Sequence, residues 1–120
     1  MGHGPGTVEG VDAVTGTMEI AACFAPVFRR YGVQKAILFG SFARGEPSRR
    51  SDIDLILVQT TTRRFLDRLD GILHDLNKAS PGPSVEALVY TPGEFEQMKN
   101  RGFVSRALKE GKVLYEQQRP

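Results

Sequence analysis

The stretch Ser51-Asp52-Ile53-Asp54-Leu55-Ile56-Leu57-Val58 constrains the fold of this chain most tightly, because it sets two acids at alternate positions ahead of an apolar run. Side chains along a β-strand point to opposite faces in turn, so Asp52, Asp54, Ile56 and Val58 share one face while Ile53, Leu55 and Leu57 share the other. Two carboxylates therefore stand side by side on a strand whose opposite face is apolar. Neighbouring like charges raise each other's free energy, and a cation is the natural remedy. A bland alternative exists, in which acids on a strand edge discourage edge-to-edge pairing.

Elements on either side follow from periodicity. Ile20, Ala21, Phe24, Val27, Phe28 and Tyr31 recur at helical spacing, with Thr17 as expected N-cap, Gly32 as stop and a kink or late start at Pro26. Lys35 to Phe39 is a short apolar run ending at a glycine, the pattern of a buried strand followed by a tight turn. Phe65, Leu66, Leu69, Ile72, Leu73 and Leu76 predict one crossover helix between parallel strands, closed before Ser80-Pro81-Gly82. Val85 to Tyr90 is a third strand. Thr91, Pro92 and Glu94 then supply an N-cap, an N1 proline and a capping-box acid. A short helix over Phe103 to Lys109, stopped by Gly111, and a last strand over Val113 to Tyr115 complete the series.

At 120 residues there is room for one core. Residues 1–16 hold five glycines and little apolar periodicity and are expected to form a flexible tail, leaving 17–120 as the domain. The nine-residue apolar stretch Ile20 to Phe28 is far short of the roughly 20 residues of a bilayer span. The first residues lack a basic and then apolar leader pattern, so a cytoplasmic location is expected. A formal charge of only +2 is too balanced to argue nucleic-acid binding from charge, and a nucleic-acid partner is not expected. The single cysteine, Cys23, falls on the apolar stripe of the first helix and is expected in the core rather than as a nucleophile. No His or Cys cluster has zinc spacing.

The chemistry-bearing segment is Phe39-Gly40-Ser41-Phe42-Ala43-Arg44-Gly45, whose Gly-Ser pair lies ten residues before Asp52-Ile53-Asp54. Glycine at 40 lets backbone N–H groups approach a phosphate, the Ser41 hydroxyl can donate to one of its oxygens, and a short helix beginning there turns its positive end toward the anion. A Walker lysine is absent, so a P-loop nucleotide hydrolase is not supported. Asp52 and Asp54 offer two hard oxygen donors suited to magnesium held against a triphosphate, and two such ions could clamp the attacking and leaving oxygens. Glu86, on a strand expected to run parallel beside them, is the candidate third ligand or base. Arg44 is the candidate guanidinium for phosphate, ahead of Arg49 and Arg50.

Gly-Ser, ten residues, Asp-x-Asp resembles the signature of the nucleotidyltransferase superfamily that includes DNA polymerase beta and the aminoglycoside nucleotidyltransferases, and within it the minimal, stand-alone members. The match spans about Thr17 to Glu116. It implies an α+β nucleotidyltransferase fold: a small mixed sheet of three to four strands, helices packed on one face and the site on the other. It also implies that Asp52 and Asp54 bind magnesium, that Gly40 and Ser41 hold the triphosphate of ATP, and that Glu86 stands where these small proteins usually carry aspartate. Minimal members resemble the antitoxin half of a two-protein system in which AMP is moved from ATP onto a tyrosine of an all-helical HEPN ribonuclease. Protein adenylylation of such a partner is the expectation that follows. Two alternatives stay open: a non-catalytic nucleotide- or partner-binding module, and transfer to a small molecule or an RNA end, for which a homo-oligomer could build the missing acceptor pocket. Arg68 and His74 reproduce an Arg, five residues, His spacing found in HEPN ribonucleases, but on the crossover helix of another fold they carry no such meaning.

Overall fold

A computed structural model describes residues 16–117, which form a four-stranded sheet with helices. The tail expected over 1–16 lies outside the described residues apart from Gly16. In chain order the elements are α1 (Thr17–Arg30), β1 (Lys35–Phe39), α2 (Ser41–Arg44), β2 (Ile53–Val58), a 3-10 turn (Phe65–Leu69), α3 (Ile72–Ala79), β3 (Val85–Tyr90), α4 (Pro92–Met98), α5 (Gly102–Glu110) and β4 (Lys112–Glu116). None of the described helices is long and apolar enough to cross a membrane.

The sheet has strand order β3-β2-β1-β4 and is mixed, because β1 pairs antiparallel with both β2 and β4 while β2 and β3 are parallel. The parallel pair requires a crossover, which the 3-10 turn and α3 provide. On one face, α1 and α3 cover Ala36, Leu38, Ile53, Leu55, Leu57, Val85, Ala87 and Val89, and this is the main core. Cys23 packs against it, as its place on the stripe foretold. The other face is partly roofed as well: Ile37, Ile56, Tyr90, Val104 and Ala107 form a smaller core, with Phe95 and Met98 of α4 packed against it. Where β1 finishes and β2 and β3 begin, that second face carries Asp54, half-buried, and Glu86, exposed.

Helix α1 runs unbroken through Pro26. The lost intrahelical bond costs roughly 3 kcal/mol, while burial of a large apolar side chain contributes about 1.5–3 kcal/mol, and Phe24, Val27 and Phe28 are all buried. Gly16, in extended conformation, occupies the N-cap in place of Thr17. The crossover departs further from expectation. The single helix read from the apolar spacing is split at Asp70-Gly71, where Gly71 has φ +86° and a Cβ on it would stand 3.1 Å from the Tyr31 hydroxyl. The spacing continued across the break because a 3-10 turn also repeats at i and i+3. Phe65 and Leu66 consequently face solvent.

Arg68, discounted above as a motif, closes this layer. Its guanidinium donates to both oxygens of Glu94 at 2.6 and 3.1 Å and to the Val89 carbonyl at 3.2 Å, and its Nε donates to the Arg63 carbonyl at 2.9 Å. Glu94 also completes the α4 capping box with Thr91. The Arg68 side chain is 8% exposed and that of Glu94 40%. Hydrogen bonds from Arg68, then from the Thr91 backbone, hold the Glu94 carboxyl down at about 2. A carboxyl depressed in the folded state stabilises above its unfolded pKa, and that contribution fades as pH falls from about 4.5 toward 2. Acid unfolding followed by circular dichroism should therefore show a loss of stability across this window that is smaller in Glu94→Gln, the remainder coming from other depressed carboxyls such as Asp75.

Candidate active site

The Gly-Ser turn hangs from the core. Strand β1 ends at Phe39, and α2 buries Phe42 and Ala43 beneath it before Gly45 closes the turn in the left-handed region at φ +75°. Gly40 itself has φ +79° and ψ −157°, a combination accessible almost only to glycine. It is required for a second reason. A Cβ at this position would collide with Oδ2 of Asp54. The antiparallel register explains the proximity, since Phe39 is the partner of Asp54 across the β1–β2 ladder.

Parallel pairing then sets Asp54 directly beside Glu86. Asp52 immediately precedes β2. The Asp54 carboxyl titrates above its usual range, first because burial penalises the charge, then because Asp52 and Glu86 repel it; Arg44 pulls the other way. The three acids and the guanidinium named from the sequence thus act in one electrostatic neighbourhood. Arg49 and Arg50 are exposed, on the loop pinned by the bond from the Ser48 N–H to Ser51 Oγ at 2.8 Å.

Among the described residues no three acid, histidine or cysteine side chains are grouped closely enough to hold a metal ion by themselves. Magnesium does not demand such a cage. It keeps several waters and is bound by one or two carboxylates together with substrate phosphates. A half-desolvated acid pressed by two others, with the Cβ-free face of Gly40 against it, is a hard-oxygen donor set short of positive charge, and it fits that ion.

One participant was not foreseen. Glu110, the last residue of α5, accepts the Gly40 N–H at 3.3 Å, and Nη1 of Arg44 lies 3.2 Å from each of its carboxylate oxygens. Arg44 also lies 3.6 Å from Glu46. The available signal was Glu110 itself, an acid at a helix C-terminus, where the macrodipole disfavours negative charge and an outside partner is needed. Its position is set by Gly111, on which a Cβ would sit 2.8 Å from Ile37 Cγ2 and 3.1 Å from the Leu38 carbonyl. Gly111→Ala should therefore destabilise the fold by about 1–3 kcal/mol through overpacking, measurable by urea denaturation. Beside this contact lies an open cavity of about 370 Å³ lined by Phe39, Gly40, Phe103, Arg106, Ala107 and Glu110.

A glycine turn and one-turn helix thus stand at the end of one strand, set against alternating acids entering its neighbour. The model of the polymerase beta nucleotidyltransferase family matches residues 24–120, and the chain belongs to that family of enzymes. Two proteins of Methanocaldococcus jannaschii, both provisionally named protein adenylyltransferases, are similar to it. One is 35% identical over 83 residues, 69% of this chain and 79% of the relative. The other is 33% identical over 72 residues, 60% of this chain and 75% of the relative. Among solved structures, a toxin-antitoxin complex with AMP-PNP matches with a TM-score of 0.58 at 22% identity, covering 82% of this chain and 74% of that one. A Sulfolobus solfataricus protein provisionally described as a nucleotidyltransferase matches with a TM-score of 0.53 at 19% identity, over 97% and 92% of the two chains. These structural likenesses show the fold, an α+β nucleotidyltransferase core.

Proposed function

We propose that this nucleotidyltransferase moves AMP from ATP to a tyrosine hydroxyl of a HEPN-type helical partner, in a magnesium-dependent reaction that releases pyrophosphate. The observation that carries the reading is Asp54, seated against the Cβ-free side of Gly40 and in register with Glu86. In this reading the Gly40 N–H and the Ser41 hydroxyl donate to phosphate oxygens, and Arg44 neutralises part of their charge. Asp52 and Asp54 hold magnesium, with Glu86 as third ligand or as acceptor of the proton from the incoming hydroxyl. The bound ion supplies charge neutralisation at the phosphorus and the leaving oxygen. Catalysis then consists of positioning and electrostatics, which suits phosphoryl chemistry.

Support for a protein acceptor comes from the provisional names of the Methanocaldococcus jannaschii relatives, and support for ATP and a toxin partner from the complex with AMP-PNP. The test is incubation of the chain with a HEPN-type partner, α-labelled ATP and magnesium, followed by intact mass of both proteins. A partner heavier by one or more AMP units, with the gain lost in Asp52→Asn, is the expected result. Magnesium-dependent ATP binding with no transfer would favour the binding-module alternative.

A further inference from the structure

We propose that Glu110 is a built-in competitor for the triphosphate: its carboxylate rests on the phosphate-binding turn and must be displaced for nucleotide to bind. The inference rests on the reading of Gly40 and Arg44 as phosphate contacts. A backbone N–H beside a glycine and a guanidinium reached by both oxygens are the partners that a phosphate group would take, and here a carboxylate of the chain itself holds them.

The geometry is that of an occupant able to leave. Glu110 and Arg44 have side chains 34% and 46% exposed, and half-exposed ion pairs are weak enough for a ligand bearing several charges to replace. Helix α5 offers Glu110 no compensation for its charge at the C-terminal end. A second seat is close by. Arg106 stands four residues earlier on the same helix and lines the same cavity, so a displaced Glu110 side chain has a cation within i,i+4 reach. The backbone beneath does not have to move, because Gly111 is locked against Ile37 and Leu38.

Electrostatics raises the barrier further. Asp52, Asp54 and Glu86 already make this neighbourhood negative, and Glu110 adds a fourth carboxylate where the phosphates would lie. Removing that charge therefore frees two donors and lessens repulsion of the incoming anion.

The experiment is calorimetric titration of the full chain, in magnesium, with ATP and with inorganic tripolyphosphate, which has no base or sugar. Glu110→Gln and Glu110→Ala, each checked for native circular dichroism, should bind both probes about 3- to 10-fold more tightly than the unaltered protein. Equal or weaker binding in both variants, with ATP still bound by the unaltered chain and lost in Arg44→Ala, would overturn the competitor role and leave Glu110 as a positioning residue for Arg44. Failure of the unaltered chain and of both Glu110 variants to bind either probe would overturn the phosphate-site reading, and this proposal with it.

Discussion

Asp54→Asn should abolish nucleotidyl transfer, lowering the rate by about 10³-fold or more, while leaving the apo protein at least as stable as before. Both halves of this result have one origin. Asp54 is half-buried and faces Asp52 and Glu86, so its carboxyl binds protons more tightly in the folded state than in the unfolded one. A carboxyl raised in this way favours folding most when protonated, and that advantage is lost as pH rises through the folded pKa. At neutral pH the ionised group opposes folding. Asparagine keeps the shape and removes the charge. Thermal melts in the absence of metal should show the variant equal or higher at pH 7, with the difference shrinking as pH falls and the native acid takes up its proton. A variant that lost activity only by unfolding would show a lowered melting temperature and would contradict this account. Such a trade, stability given up where charge must be concentrated, is common at functional sites.

Gly40→Ala should cost about 1–3 kcal/mol of stability and a further 10²-fold in transfer. The backbone at this residue lies at φ +79° and ψ −157°, so any side chain meets strain even with empty space around it. Space is lacking as well, because the new methyl group would lie on the Asp54 carboxylate. The structure can relieve the clash only by moving the acid or by peeling the turn from the end of β1, and either displaces the proposed phosphate donor from the proposed metal ligand. Urea denaturation measures the first effect and the transfer assay the second. Gly45→Ala makes an informative control: it shares the positive φ, at +75°, but nothing lies within 4 Å of its added Cβ. It should therefore lose stability with a much smaller loss of activity.

Much of the candidate site was legible in the sequence because it is local. Gly40, Ser41, Asp52 and Asp54 lie within fifteen residues, and the period-two alternation of the second strand puts the acids on one face without reference to the rest of the chain. Glu86 was reachable by one further step, since a crossover of helical length implies parallel strands and hence an acid alongside. The Thr91 and Glu94 capping box was equally plain, being set by a three-residue spacing. What escaped was long-range or depended on a single backbone torsion. Glu110 is separated from Arg44 by 66 positions, and only the docking of α5 against β1 unites them. Arg68 owes its burial to Glu94 and the Val89 carbonyl, partners 26 and 21 positions away. The break at Gly71 was hidden because apolar periodicity reports which side is buried and not whether the backbone is continuous.

The strand order places β3 at a border of the sheet, and Glu86 stands exposed on it. In the proposed reaction the acceptor hydroxyl would therefore reach an exposed acid on the last strand of the sheet, with no further strand among the described residues beyond it. Water has the same access. Selectivity for transfer over wasteful hydrolysis of ATP then falls to the arriving protein, which completes the chamber with its own surface as it presents its nucleophile. On the proposed function the acceptor would act as the lid of the enzyme that modifies it, making nucleotide turnover and partner docking a single event.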